Sequence, residues 1–391
     1  MKKILGLLLA LCLIAGCTSA FAAGIPVEQV KIGYITIGDE NEGYSANHLN
    51  GLKEAQAALG ISDDQVLCKY NVPETEDAYE AAIDLAEQGC NIIFATSFGH
   101  ESYVFQAAAE YPNIQFCHAT GNSAMNSELT NVHNYFYAVY ESRYVSGVVA
   151  GMKLAQMIED GIITAENAKI GYVGAFPFAE VISGFTSFFL GARSQCPSVT
   201  MEVRYTNSWG DMALEKETAE ALIADGCVLI SQHADTTGAP SACEAAGVPC
   251  VGYNISMLPV APNTALTSAA GDWGAYVTYA VKCLIDGEEI ARDWCKGYAE
   301  GAVYTTELND SIVAPGTAEK VAELEEAFKA GTVKVFDTST FTVNGETLTS
   351  YTTAYGLEGI EMVSDGEFHE SSVRSAPYFD ILIDGITAVV E

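Results

Sequence analysis

Basic residues are scarce in this chain. Eighteen Lys and Arg stand against 51 Asp and Glu over 391 residues, a formal net charge of −33. Neutralising phosphates takes concentrated Lys and Arg, and a field of this sign repels a polyanion at the distances where steering acts. Nucleic acid is therefore excluded as a partner, and the acidity reads as a solvated surface that keeps the protein soluble. Catalytic signatures are missing too. No GK dipeptide occurs, hence no P-loop, and there is no G-x-G-x-x-G after a strand, no G-x-S-x-G, no H-E-x-x-H and no EF-hand spacing. The six histidines, His48, His100, His118, His133, His233 and His369, are scattered without a metal pair at helical spacing. The expectation is a protein that performs no covalent chemistry and holds no cofactor or metal. Proline is sparse as well, with 11 residues, and no low-complexity block interrupts a 49% hydrophobic composition, so packed structure is expected along the chain.

Hydrophobic runs long enough to cross a bilayer are absent. The only candidate, "ILGLLLALCLIAG" after the basic "MKK", is thirteen residues, too short to span as a helix and typical of an export signal. It ends in "LIAGC", where a small residue before Cys17 reads as a lipobox: residues 1–16 would be removed and Cys17 lipidated, with 17–29 as a tether. Ordinary cleavage near "AFAA", at 20–23, is the competing reading. Acyl chains on Cys17 would hold an exported protein at the outer side of the cell membrane. CxxC pairs are also absent. Setting aside Cys12 and Cys17 leaves nine cysteines, an odd number, mostly inside apolar runs such as "GCNIIFA" and "GCVLISQ", so they read as small buried hydrophobes with free thiols.

What the chain does have is an internal repeat. "KIGY" occurs at 31–34 and at 169–172, and "AAIDLAEQGCNIIFATSFGH" is echoed by "AEALIADGCVLISQHADT", with GC at 89–90 and 226–227. The two offsets, 138 and 137, agree within one residue. Each copy reads as an apolar strand, a Gly-rich loop, an amphipathic helix and another apolar strand. Strands apolar on both faces and separated by helices predict a parallel sheet covered on both sides. The predicted fold class is α/β, two doubly wound parallel-sheet lobes with a ligand cleft between them, since such sheets bind ligands outside the carboxyl ends of their strands. The first lobe is expected over 30–140 and about 268–305. The second takes about 141–267 and 306–391, including a C-terminal extension whose helix "AEKVAELEEAFKAG" precedes strand and turn signals in "VKVFDTSTFTVNGETLTSY". Crossings between lobes are expected along 135–158 and near 265–276.

Predicted strand ends carry aromatic rings with amides or carboxylates. The loop "GDENEGYSANHLNG" supplies Asp39, Tyr44, Ser45 and Asn47 at the start of a helix, where free backbone N–H groups point outward. Later strand ends supply Ser97 and Phe98, Thr120 and Gly121, Phe176 with Phe178, Trp209, His233 and Asp235, Tyr253 and Asn254, and Trp273. Loops collect Gly, Asn and Asp for turn geometry alone, but rings recurring at nearly every strand end suit a flat heteroaromatic guest. Stacking a base on an aromatic side chain is worth about 1–3 kcal/mol, and Asp or Asn can read its edge. A sugar also stacks on Trp and remains open as a guest.

The segments "YESRYVSGVVAGMKLA", "KIGYVGAFPFAEVISGFTSFFLGARS", "YTNSWGDMALEKETAEALIADGCVLISQHADT" and "GVPCVGYN" resemble the BMP (basic membrane protein) family, the lipoprotein substrate-binding components of ABC transporters, in its purine base or nucleoside branch. The resemblance covers about 30–300, is most specific over 134–254 and is loose beyond Leu308. It implies a type I periplasmic-binding-protein fold, a purine held between rings from the two lobes, and partners in an ABC permease and separate ATPase subunits. Tyr44 stands where the branch usually has the Trp of a "GW" pair. Trp209 is the aromatic of "TNSW", Asp235 and Asn254 match polar cleft positions, and Trp273 matches a cleft-edge Trp. "DENEGY" replaces a shorter Gly-rich approach to that first ring, a departure that can shift the pocket and the base preferred. Against this stand a receptor for a sugar or other small polar solute and a sensory or adhesive surface lipoprotein. A secreted nucleoside-cleaving enzyme would want an Asp cluster for metal or a His acid, and the sequence offers neither.

Overall fold

The computed structural model describes residues 24–354 and 357–389. Each KIGY copy opens a sheet. In the first lobe, β1 (Ile32–Ile35) is followed by helix α1 (Gly43–Leu59), then β2 (Val66–Lys69), α2 (Glu76–Glu87), β3 (Ile92–Ala95), α3 (Glu101–Glu110), β4 (Gln115–Ala119) and β5 (Val132–Tyr137). The chain crosses into α4 (Val139–Glu159) and repeats the plan with β6 (Lys169–Gly174), α5 (Ala179–Gln195), β7 (Thr200–Tyr205), α6 (Met212–Ala224), β8 (Leu229–His233), α7 (Gly238–Ala246), β9 (Cys250–Tyr253) and β10 (Ala265–Gly271). It returns to the first lobe for α8 (Trp273–Asp286) and β11 (Asp293–Lys296). A third crossing leads to β12 (Val303–Thr305), α9 (Thr317–Lys329), a short hairpin β13 (Val363–Ser364) and β14 (Glu367–Phe368), and β15 (Ile386–Val389).

The sheets run β2-β1-β3-β4-β5-β11 and β15-β7-β6-β8-β9-β10-β12, so the repeated strands take the same order in both. All pairings in these two sheets are parallel except β10 with β12. The GC landmarks occupy equivalent turns: Gly89 and Gly226 both have φ 86°, a left-handed turn after the helix that a side chain would strain. Strand residues of β1, β3, β8 and β9 are buried throughout, as expected for a sheet covered on both faces.

One crossing falls within its expected range, and the strand signals of the tail are corrected. The crossing sought near 265–276 falls at Asp272, where the apolar run ends and the Asp272 carboxylate accepts from Gly274 N at 2.7 Å to cap α8. Residues 268–271 and Val303–Thr305 therefore belong to the second sheet, trimming the returning segment of the first lobe at both ends. In the tail the helix forms, but the strand signals of 333–351 yield only isolated bridges, Asp337 to Glu367 and Val343 to Glu346. There Asp337 accepts from Ser339 N, and Asn344 and Gly345 take left-handed φ, so local turns displace a ladder. The tail is attached through β15, which pairs with β7 at the edge of the second sheet.

Candidate functional site

The carboxyl ends of both sheets face one another across a narrow pocket whose open space, counted out to solvent, is about 320 Å3. From the first lobe come Ile37 and Tyr44 after β1, Ser97 and Phe98 after β3, and Thr120 after β4. The second lobe contributes Glu180 at the start of α5, Trp209 after β7, His233 and Asp235 at the end of β8, and Tyr253 closing β9. Every wall residue thus follows or ends a strand or opens the next helix, the position at which doubly wound sheets bind ligands.

Tyr44 is fixed rather than free. The Glu42 side chain caps α1 by accepting from Tyr44 N and Ser45 N, and the Tyr44 hydroxyl donates to Thr96 O at 2.6 Å. Ser97 donates to Glu74 at 2.7 Å, which also accepts from Gly99 N and holds the loop carrying Phe98. Trp209 is backed by Phe176, edge to face at 5.1 Å, and Phe176 stacks on Phe178. Asn254, at φ 66°, donates through Nδ2 to Asp235 Oδ1 at 2.9 Å. The lobes meet directly: Gly43 N donates to Asp235 O at 2.9 Å, and the Phe98 and Phe178 rings, about 39% and 38% exposed, lie 5.4 Å apart across the cleft.

Acidic groups dominate the electrostatics. Burial, reinforced by Glu42, Glu215 and Glu180, pushes the Asp235 carboxyl well above its usual range. Burial raises Glu180 to about 7 against the opposing pull of Arg143, and raises Glu215 to about 7. His233 is driven well below its usual value by burial and by Arg143, so its ring is neutral; it lies 3.4 Å from Glu180. Arg143 is fully buried, stacks over Tyr253 at 3.7 Å and donates to Gln232 O. Several buried polar atoms around the cleft have no partner in the protein, among them Thr120 Oγ1, His233 Nδ1, Tyr253 OH and Asn254 Oδ1. Hydrogen-bonding capacity left open beside aromatic walls is what a polar ligand needs.

Of the residues singled out in the sequence, Tyr44, Ser97, Phe98, Thr120, Trp209, His233, Asp235 and Tyr253 line the pocket. Phe176 and Asn254 lie one layer behind, against Trp209 and Asp235. Gly121 sits in a polar knot where a Cβ would meet Asn134, Glu101 and His118, so it shapes the loop after Thr120. Ser45 Oγ accepts from Gly38 N, and Asp39 closes a turn on Asn41 and reaches Asn71, both within the approach loop. Asn47 bonds Gly271 O on the far side of α1, where it borders a different groove. Trp273 is 1% exposed and stacks on His48 at 3.9 Å among Tyr135, Phe136 and Tyr137. It is a core residue behind Tyr44 and not at the cleft edge. The sequence reading missed Glu180 and Arg143, which look like ordinary helix residues; an ionisable group inside otherwise apolar helical stretches was the available signal. Cys17 and the signal segment lie outside the described residues. Among the described residues no helix is long and apolar enough to cross a membrane, and no cluster of side chains could hold a metal.

Two α/β lobes joined by three crossings, with one cleft at their strand ends, define a solute-binding protein of type I periplasmic-binding architecture. The chain belongs to the family of PnrA-like ABC transporter substrate-binding proteins, which matches residues 35–335. It is 34% identical to a purine-binding protein of Brucella abortus over 79% of this chain and 83% of that one. To a putative ABC transporter glucose-binding protein of Haloferax volcanii it is 29% identical, over 85% and 81% of the two chains. A solved solute-binding protein from Aeropyrum pernix superposes with TM-score 0.65 at 18% identity, covering 78% of this chain and 93% of that one. The protein is thus an exported, membrane-associated substrate-binding component of an ABC importer. It takes a small polar ligand between its lobes and works with a permease and ATPase subunits.

Proposed function

We propose that the ligand is a purine nucleobase or nucleoside, delivered to the permease after the lobes close around it. The observation that carries this reading is the composition of the pocket wall: Tyr44, Phe98, Trp209 and Tyr253 surround a buried Asp235. Rings from both lobes suit a flat heterocycle, and each stacked face is worth about 1–3 kcal/mol. A carboxyl group beside such a ring is matched by heterocyclic N–H and amino donors, which would favour ionised Asp235 in the bound state. Tyr44, Ser97, Phe98, Trp209 and Asp235 are proposed contacts, with Asn254 orienting Asp235 and Phe176 backing Trp209. The name of the Brucella relative agrees with this choice. The name of the Haloferax relative favours a second reading, a sugar stacked on Trp209.

The test is to denature the purified protein, filter it and identify the released small molecules by mass spectrometry, followed by titration with purines and hexoses. A purine base or nucleoside near one per chain is expected. A hexose in its place would overturn the purine assignment and leave the transport role standing.

A further inference from the structure

Arg143 places a charge in the interior of the protein, on α4, the helix that follows the first crossing. Its Nη1 donates to Gln232 O at 2.7 Å, while Nε and Nη2 have no partner in the protein. The guanidinium thus meets no carboxylate. A buried charge without a counter-ion costs stability, and a well-packed apolar side chain would hold two elements together at lower cost. What Arg143 touches belongs to the pocket wall or lies directly behind it. Its guanidinium lies 3.7 Å over the Tyr253 ring, which is itself 4.6 Å from the His233 ring. Gln232, whose carbonyl it holds, directs its own Nε2 to Ala234 O and Thr236 O at 2.8 and 2.9 Å, closing the turn that carries Asp235. Glu215 holds the same turn from the other side by accepting from Thr236 N at 3.2 Å. Gly184 on α5 keeps the space between these groups clear: a Cβ there would fall 2.6 Å from His233 Nδ1 and 3.7 Å from Arg143 Nε.

We infer that Arg143 is a positioning residue for the ligand: from the crossing helix it fixes the Tyr253 ring and the turn 232–236 against the pocket and sets a positive charge behind wall carboxyls. It does not line the pocket, so it acts through the groups that do. A planar fork can hold a carbonyl at its edge while its face rests on an aromatic ring, which an ammonium cannot do. The charge has its own consequence, and Glu180 reports it. Glu180 titrates near 7, raised by burial and pulled down by Arg143. The other ionisable groups that face Glu180 are His233, Asp235, Glu74, Tyr44, Tyr137 and Tyr253. Glu74 opposes Arg143, as Asp235 does when ionised, whereas His233 and the three tyrosines are neutral near pH 7. Removing the cation therefore raises the Glu180 midpoint, and replacing it by another cation retains most of the effect.

Arg143→Met and Arg143→Lys test the inference with two readouts on the purified protein. In the empty protein, the infrared band of a protonated carboxyl that Glu180→Gln abolishes is followed against pH. Arg143→Met should move its midpoint upward by about one pH unit or more, and Arg143→Lys by less than about half a unit. Calorimetric titration with adenine then measures affinity. Binding should weaken roughly tenfold in Arg143→Met and about threefold in Arg143→Lys, which keeps the charge but loses the fork. An unmoved midpoint in Arg143→Met, or adenine affinity within about twofold of wild type in both variants, would overturn the inference. If Arg143→Met does not fold, Arg143→Lys decides: affinity lost with the midpoint kept supports the positioning role, and affinity kept overturns it. The affinity readout rests on the purine reading and the infrared readout does not. A wild type that fails to bind adenine would count against that reading, and the Glu180 midpoint alone would then decide the role of Arg143.

Discussion

Tyr44, Trp209 and Trp273 were equivalent as aromatic residues near strand ends, and the fold separates them. Trp209 is half-buried and backed by Phe176 at the pocket wall, whereas Trp273 is sealed behind Tyr44 with its ring on His48. The two should respond to truncation in opposite ways. Trp209→Ala should weaken ligand binding at least tenfold, about 1.4 kcal/mol, with little change in the unfolding midpoint. Trp273→Ala should cost about 3–5 kcal/mol of stability in urea unfolding through the cavity it leaves. Equal loss of stability in both would contradict the assignment. Glu180 supplies a second residue-scale test. Its folded pKa, about 7, is raised mainly by burial, so the folded state loses stability relative to the unfolded chain as pH rises from the ordinary carboxylate range through about 7. Glutamine mimics the protonated form. Glu180→Gln should therefore match wild type near pH 4.5 and exceed it progressively toward pH 8, by on the order of 3 kcal/mol, in ligand-free unfolding curves. Taking the difference between the two proteins cancels the opposing contribution of the buried histidines. A difference that shrank with rising pH would reverse the sign of the argument.

At the scale of elements, the doubled KIGY and GC landmarks made strand order legible, because a repeat with one offset forces the same βαβ unit twice and the sheets share that order. Wall positions were legible for a related reason: parallel sheets bring their carboxyl ends together wherever the intervening helices pack. Other features were not legible. Asp272 looked like part of a continuous crossing until its capping role divided β10 from α8. Arg143 and Glu180 sit on helices whose depth in the fold depends on the packing of α4 against α5, which no local pattern encodes. That packing is close enough to involve backbone. A Cβ on Gly147 would fall 2.0 Å from Phe188 O, and one on Gly191 2.1 Å from Tyr144 O. Neither carbonyl can yield without moving its helix. Gly147→Ala should accordingly destabilise the protein by about 1–3 kcal/mol in chemical denaturation, more than helix propensity alone would return. A stabilised variant would mean that the two helices pack less closely than described.

At the scale of the whole molecule, the two lobes touch each other at the wall of the pocket. Gly43 N reaches Asp235 O, Phe98 meets Phe178, and Glu42 from the first lobe raises the pKa of Asp235 in the second. Closure without a ligand therefore gathers carboxyl groups, and the closed form binds protons more tightly than the separated lobes. Lowering the pH should favour closure of the empty protein, and raising it should favour opening; a ligand that donates hydrogen bonds to Asp235 or Glu180 offsets the repulsion and selects the closed state. Small-angle X-ray scattering of ligand-free protein should then give a larger radius of gyration at pH 8 than at pH 5.5, with the difference lost on saturation by ligand. Gly43 offers the matching substitution. Its hydrogen has no bulk toward Asp235 O, whereas a Cβ there would sit 2.9 Å from that oxygen. Gly43→Ala should push the lobes apart and weaken ligand binding about fivefold, the equivalent of about 1 kcal/mol, without shifting the unfolding midpoint of the empty protein. If affinity were unchanged while the empty variant became less stable, Gly43 would act within the first lobe alone, and closure would have to depend on the Phe98 and Phe178 contact.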